Sequence, residues 1–200
     1  MANLKQIEKY LHKLKLPYKV IDLGEEVFTV RGAVASGVDA EEIVKTLIMN
    51  LHGITPMVSS FSSLTRPDLW LGKASSLDLR LEGIKLGKIK YQNVQRSFNN
   101  LIFATLAIRG KDRLDFKKVR KLFGSKAELA KSDEVLKVCG VPIGAVCPIL
   151  LDISVFFDQK VMNLSRVNMG SGNLKHGLEI DLPNLLKAVG NYQVADLVKI

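Results

Sequence analysis

A single lysine, Lys45, interrupts an apolar stretch that runs from Ile43 to Met49. Lysine is rarely buried without a partner, so its ammonium group either reaches water along its aliphatic stem or faces a polar cavity. The sequence alone leaves these two interpretations equally open. In a cavity, the ammonium would be a donor for a carbonyl oxygen or for the oxyanion that develops there during acyl transfer. Lys45 is therefore the first candidate for a residue with a chemical role.

A second candidate is the segment 139–148, which reads CGVPIGAVCP. Two glycines and two prolines exclude a helix interior or a central strand, because proline lacks a donor and fixes φ. The residues between them are apolar, which is unlike a solvated loop. Residue types favour a buried crossover between a helix and a strand. The alternative is a rigid loop whose small residues let a ligand approach the backbone, with N–H groups available to an oxygen.

Cysteine and histidine patterns exclude the other common kinds of catalytic site. The two cysteines, Cys139 and Cys147, are too few for a disulfide framework, and we expect both to be reduced and buried. Apolar neighbours would raise the pKa of the Cys147 thiol and make it a poor nucleophile. Three scattered histidines (His12, His52 and His176) give neither a metal-site spacing nor a catalytic triad. We therefore predict no bound metal and no cofactor.

The positive charge of the chain is concentrated in one region. The 200 residues carry a formal net charge of +9. Only Asp112 and Asp115 balance the basic residues of segment 109–126, which are Arg109, Lys111, Arg113, Lys117, Lys118, Arg120, Lys121 and Lys126. Such a cluster commonly binds phosphate groups, although a solvated lysine-rich helix face has the same composition. The pattern favours a nucleic-acid partner, and a compact set for tRNA binding is Arg113, Lys117, Lys118 and Lys121.

The elements that must position these residues mix helices and strands without a regular βαβ repeat, which predicts an α+β fold. Apolar spacing predicts helices over 3–16, 114–123 and 133–138, a short helix from Thr29, and another that begins at Asp39. Strands are predicted at 18–23, 43–49, 101–108 and 177–182, together with a hairpin formed by 154–157 and 161–168. Residues 50–100 have a hairpin-like texture and are interpreted as a β-rich insertion.

The N-terminus does not resemble a signal peptide, and no apolar run is long enough to span a bilayer. We therefore expect a cytoplasmic protein without a membrane partner. Its oligomeric state cannot be deduced from these patterns.

Several motifs occur in the order found in one known family. They are Ile43–Leu47, Arg113–Val119, Leu122–Lys126, Ala130 with Asp133–Val135, the Gly144–Pro148 loop, Gly177–Leu182 and Val194–Leu197. On these motifs the chain resembles the YbaK/ProX aminoacyl-tRNA deacylases, the family that includes the editing insertion domain of bacterial prolyl-tRNA synthetases. The resemblance covers roughly residues 1–50 and 101–200. Residues 50–100 have no counterpart in the compact members, and Leu23 stands near the position where some members carry a tyrosine.

The resemblance implies one deacylase domain over residues 1–200, interrupted by the insertion at about 50–100. Its fold would be a mixed β-sheet curled into a partial barrel with flanking helices. The implied function is a trans-editing hydrolase that cleaves the ester of mischarged tRNA, with Cys- or Ala-tRNA(Pro)-like substrates. A non-catalytic tRNA- or synthetase-binding protein on the same fold is the alternative, and hydrolysis of a small ester unrelated to tRNA is a third. The partners would be tRNA and an aminoacyl-tRNA synthetase.

The resemblance also implies roles for individual residues. Lys45 matches a lysine that the family needs for activity. The loop Gly144, Ala145, Val146, Cys147 and Pro148 would hold the 3′ end of the substrate through its backbone. The turn Ser171–Gly172 and the carboxylate of Glu179 would line the same pocket.

Overall fold

The computed structural model describes residues 3–52 and 102–199, and these contain five α-helices and eight β-strands. The helices are α1 (Leu4–Lys13), α2 (Val30–Ala35), α3 (Phe116–Phe123), α4 (Ser132–Cys139) and α5 (Leu182–Val189). The strands are β1 (Lys19–Asp22), β2 (Val44–His52), β3 (Ile102–Arg109), β4 (Lys126–Leu129), β5 (Val155–Asp158), β6 (Arg166–Gly170), β7 (His176–Asp181) and β8 (Tyr192–Ala195). A 3-10 turn, Val161–Asn163, precedes β6.

The strands form two sheets. The five-stranded sheet has the order β4-β2-β3-β5-β8, in which β2 is antiparallel to β3 and β4 whereas β5 is parallel to β3 and β8. The three-stranded sheet β1-β7-β6 is antiparallel throughout. A parallel bridge between Ile43 and Asn168 joins the start of β2 to β6. The predicted α+β class is confirmed. The described strands form no closed barrel, and the curled partial barrel stays a prediction.

The two faces of β2 pack against different layers. Leu47, Met49 and Leu51 lie on one face, in the apolar cluster that includes Val119 of α3. Val44 and Ile48 lie on the other face, in the clusters that contain segment 145–149. Successive side chains of a strand point to opposite faces, so Lys45 leaves β2 on the α3 side and Thr46 on the side of the loop.

Helix α3 begins and ends as its sequence predicts. Asp115 caps its N-terminus, where Oδ1 accepts hydrogen bonds from the main-chain N–H groups of Lys117 and Lys118 at 2.8 and 3.4 Å. Gly124 follows the helix with a φ of 62°, the left-handed conformation that glycine adopts most easily. The helix therefore turns its basic residues outward while Val119 packs against the sheet.

Two predicted elements are wrong. Residues 39–42 form a turn rather than a helix, because the Asp39 side chain accepts the N–H of Glu41 and the chain then enters β2. Segments 154–157 and 161–168 do not form a hairpin. Strand β5 lies between β3 and β8, whereas β6 pairs with β7.

The predicted insertion lies almost wholly outside the described residues, as do its hairpins. The strands that flank it pair antiparallel, with Leu51 of β2 opposite Ile102 of β3. Within the described residues, every helix is too short or too polar to cross a membrane.

Candidate functional site

A cavity of about 270 Å³ lies beside the free edge of β2. This edge is bridged to β6 at Ile43 and pairs with β4 only from Met49 onward, so residues 44–48 have no partner strand on this side among the described strands. The walls come from β2, the loop before α2, the 139–148 loop, β6, and the turn into β7. Apolar side chains form most of the lining. The cavity therefore places a small number of polar groups against an apolar wall.

Lys45 lines this cavity and is held by main-chain oxygens. Its Nζ donates to the carbonyl of Gly110 at 3.0 Å and to that of Asp112 at 2.6 Å. An ammonium group has three donors, so one remains for a ligand. Burial lowers the pKa of Lys45, the charge of Arg113 lowers it further, and Asp112 opposes the shift. Of the two interpretations drawn from the sequence, the structure supports the cavity rather than a lysine extended into water.

The turn that holds Lys45 is itself fixed by two contacts. Arg109 donates to the Asp112 carboxylate through Nε at 2.8 Å and through a terminal nitrogen at 3.3 Å, which keeps residue 112 in place. Burial opposes ionisation of Asp112, yet Arg109 leaves the pKa of this carboxyl lowered. A Cβ at Gly110 would lie 2.9 Å from Cγ2 of Ile43 and 3.1 Å from Cγ1 of Val30. Residue 110 therefore has to be small.

The 139–148 loop approaches other main-chain segments closely at two glycines. Gly144 lines the cavity with a φ of +92°, and a Cβ there would lie 2.8 Å from Cα of Phe28. A Cβ at Gly170 of β6 would lie 2.6 Å from the carbonyl oxygen of Val146. Gly172 donates its N–H to the carbonyl of Ala145 at 2.7 Å. The loop is thus wedged between the segment before α2 and the end of β6.

Three of the predicted site residues line the cavity, namely Lys45, Gly144 and Val146. The others lie behind or beside its wall. Ala145, Cys147 and Pro148 are buried, and the N–H of Ala145 is bonded to the carbonyl of Pro142 at 3.1 Å.

The predicted turn residue and carboxylate are also held away from the lining. The Ser171 hydroxyl is buried and donates to the carbonyl of His176 at 2.6 Å, so it braces the turn. Glu179 lies 3.7 Å from Arg166 on the polar face of the three-stranded sheet. Neither side chain lines the cavity, so each can affect a ligand only through the residues that it contacts.

Cys147 belongs to the core. It is 2% exposed, and burial raises the pKa of its thiol to about 12. The thiolate, which is the nucleophilic form, is therefore scarce at neutral pH. Among residues 3–52 and 102–199, no three His, Cys, Asp or Glu side chains are placed to hold a metal ion.

The basic cluster of segment 109–126 divides into paired and unpaired members. Lys111 pairs with Glu41, and Lys126 lies 2.7 Å from Glu128. Lys118 contacts Asp196 at 2.8 Å and donates to the carbonyl of Val198 at 2.7 Å, so it holds the C-terminal segment. The exposed residues without an ion pair to any described acidic group are Arg113, Lys117, Arg120 and Lys121.

Sequence reasoning missed most of the lining, including Phe28, Thr46, Asn168 and Gly170. Thr46 follows Lys45 directly, and its hydroxyl has no hydrogen-bond partner among the described residues. Gly170 is the first glycine of Gly-Ser-Gly and could have been found from that motif. Nothing near Asn168 in the sequence signals its position, because the bridge to Ile43 creates it.

Comparison with known proteins shows that part of the chain is similar to a known family. Residues 94–188 match the family model of the aminoacyl-tRNA editing domain. This part of the chain is similar to that editing-domain family. The match confirms the resemblance drawn from the motifs, and it includes α3, the 139–148 loop, β6 and β7, whereas Lys45 lies before it.

Solved structures share the fold of this protein at low sequence identity. The crystal structure of the hypothetical protein APE2540 has a TM-score of 0.64 and 22% identity, covering 96% of this chain and 99% of that one. A candidate trans-editing enzyme for prolyl-tRNA synthetase has a TM-score of 0.65 and 20% identity, covering 98% and 97% respectively. No curated protein matches the chain significantly in sequence.

Proposed function

We propose that this protein is a trans-editing deacylase that hydrolyses the ester of mischarged aminoacyl-tRNA, with Cys- or Ala-tRNA(Pro)-like substrates. The observation that carries the proposal is the Lys45 ammonium, held at the wall of an apolar cavity in a chain with an editing domain. The cavity volume of about 270 Å³ is sufficient to hold an aminoacyl group. The structural neighbour that is a candidate trans-editing enzyme for prolyl-tRNA synthetase supports the tRNA(Pro) assignment.

In the proposed reaction, water attacks the ester carbonyl, a substrate hydroxyl is a candidate to position that water, and the proton that the water loses is taken up by the ribose oxygen as it leaves. The carbonyl oxygen becomes an oxyanion, and the ester bond to the terminal ribose then breaks to release the free amino acid. Lys45 would donate its remaining N–H to that oxygen, since charge stabilisation there is the main demand of acyl transfer. The N–H groups of Gly144 and Val146 are further candidates because both residues line the cavity, whereas the N–H of Ala145 is already bonded.

The test is deacylation of a panel of mischarged tRNAs, with alanine and cysteine on tRNA(Pro) among them. We expect turnover of at least one small, mischarged aminoacyl ester and little turnover of correctly charged prolyl-tRNA(Pro). A parallel preparation of Lys45→Ala controls for contaminating esterases. Tight binding of these tRNAs with every ester intact would contradict the proposal and would favour the non-catalytic binding protein instead.

The exposed side of α3 is the proposed contact for the tRNA backbone. Lys117 and Lys121 are exposed on this helix and have no ion pair with a described acidic group. We expect the double variant Lys117→Ala/Lys121→Ala to weaken tRNA binding. The slope of log Kd against log salt should fall by roughly 0.7–0.9 for each phosphate that the variant no longer neutralises.

The matched control for α3 is Lys187→Ala, which removes an exposed lysine from α5. Binding is measured with uncharged tRNA over a series of salt concentrations. An unchanged slope in the double variant would place the tRNA contact elsewhere on the molecule.

A further inference from the structure

Asn168 is a residue of the cavity lining that has a buried hydrogen-bond acceptor without a donor among the described residues. The residue lies on β6, is 4% exposed and lines the cavity. Its Nδ2 donates to Oε2 of Glu42 at 2.9 Å, and its main-chain N–H donates to the carbonyl of Glu42 at 2.8 Å. A carboxylate only accepts hydrogen bonds, so this contact fixes the orientation of the amide. Oδ1 is then the unsatisfied end, and it has no partner among the described residues.

The surroundings of Asn168 favour a positively charged donor. Glu42 lies behind its amide, and Arg166 binds Glu42 at 2.9 Å and lies 3.7 Å from Glu179. Two carboxylates thus share one guanidinium, which leaves a negative balance of charge around Asn168, while the positive charge of Lys45 lies further along β2. Lys19 is opposite Glu179 on β1, but it is exposed and forms no ion pair with a described acidic residue. A cation in the cavity would gain from this balance, whereas a neutral hydroxyl would gain less.

Asn168 of β6 is bridged to β2 close to the position of Lys45. Asn168 bridges Ile43. Lys45 is two residues further along β2 on the same face as Ile43, and strand spacing puts it about 7 Å from Ile43. The cavity therefore has a donor on Lys45 and an acceptor on Asn168. An α-aminoacyl ester has the complementary arrangement, since its carbonyl oxygen accepts and the ammonium on the adjacent carbon donates.

We infer that Oδ1 of Asn168 accepts a hydrogen bond from the α-ammonium group of the aminoacyl moiety. The inference rests on the proposed function for the identity of the ligand. It makes Asn168 a specificity residue that selects esters with a free α-amino group, and it makes Glu42 a positioning residue that orients the amide. With Lys45 on the carbonyl oxygen and Asn168 on the ammonium, the amino-acid side chain would point toward the apolar wall.

The test uses hydrolysis-resistant analogues, so that binding is measured without turnover. One is an adenosine whose 3′ amine carries an amide-linked alanine, and the other carries the α-hydroxy counterpart, which has the same size without the positive charge. We expect the wild type to bind the α-amino analogue about tenfold or more tightly, as for a charge-assisted hydrogen bond. In Asn168→Ala, the ratio of the two Kd values should fall to near one.

Asn50 offers a matched control. It is also a buried asparagine, 5% exposed, whose Nδ2 donates to Glu134 at 3.1 Å and whose Oδ1 has no partner among the described residues. It does not line the cavity, so Asn50→Ala should keep the wild-type ratio. Glu42→Gln retains an acceptor beside Asn168 but removes the negative charge, and we expect it to reduce the ratio without abolishing it.

Three results would overturn the inference. They are equal binding of the two analogues by the wild type, failure of the wild type to bind either, and an unchanged ratio in folded Asn168→Ala. If Asn168→Ala does not fold, an unchanged ratio in Glu42→Gln has the same meaning. The proposed function is judged separately by turnover of mischarged tRNA, so a protein that discriminates the analogues without hydrolysing any ester would retain this inference and lose the hydrolase.

Discussion

Lys45→Ala is expected to lower kcat/KM for the preferred mischarged tRNA by about 100- to 1,000-fold, the effect of removing one preorganised oxyanion donor. The loss should fall mainly on kcat, because the oxyanion exists only after attack on the carbonyl. Steady-state deacylation of the wild type and the variant measures it. Lys187→Ala, on the exposed side of α5, is the control and should retain wild-type kinetics.

The pH dependence provides a second readout for Lys45. Burial lowers its pKa, so the ammonium loses its proton at a lower pH than an exposed lysine does. After correction for spontaneous ester hydrolysis, wild-type kcat should fall on the alkaline side, and this limb should be missing from the residual activity of Lys45→Ala. Wild-type kinetics in Lys45→Ala would exclude the lysine from the reaction and leave the main-chain donors of the loop to account for it.

Gly170→Ala is expected to disrupt the loop without removing any functional group. The new Cβ would lie 2.6 Å from the carbonyl oxygen of Val146 and 2.8 Å from the carbonyl carbon of Ala145, and both are main-chain atoms. The loop must shift, since neither atom can rotate away. We expect a destabilisation of about 1–3 kcal/mol, which is typical of overpacking. Activity should fall by about 100-fold, because a 1 Å displacement of a positioning group can have that effect.

The cross-strand partner of Gly170 supplies the stability control. Gly177 lies opposite Gly170 in the β6–β7 ladder, yet a Cβ there would have no neighbour nearer than 3.8 Å. In denaturant unfolding, the midpoint of Gly170→Ala should therefore be clearly lower than that of the wild type, whereas the midpoint of Gly177→Ala should be close to it. Equal midpoints would mean that the 139–148 loop moves freely, and that its contact with β6 does not define the cavity.

The sequence predicted those parts of the site that have a local signal. Lys45 stands out because a lysine in an apolar strand is unusual, and its bonds to Gly110 and Asp112 explain how it is held there. The glycines and prolines of 139–148 predicted either a buried crossover or a rigid loop, and in the structure the segment makes close backbone contacts. Gly124 follows the last residue of α3, at the position where the apolar spacing predicted the end of the helix. Each of these signals arises from a residue type that is unusual in its own immediate context.

The errors come from pairings between distant segments. Strand β5 lies between two parallel neighbours, and parallel strands are joined by long crossovers that leave no turn signal in the sequence. The nearby segment 161–168 therefore suggested a hairpin that does not exist. Asn168 was missed for the same reason, because its place in the cavity wall depends on the bridge to Ile43.

The two hydrogen bonds that hold Lys45 affect the electrostatic potential inside the cavity. Carboxylate partners would neutralise the ammonium, whereas the two atoms that bind it are carbonyl oxygens and carry no net charge. The one nearby carboxylate, on Asp112, is occupied by Arg109. Lys45 is thereby immobilised by groups without a net charge, and no carboxylate is bonded directly to its ammonium among the described residues. Because the contact between Arg109 and the Asp112 carboxylate fixes the turn that carries these carbonyls, substitution of Asp112 would alter both the tuning of the charge and the anchor.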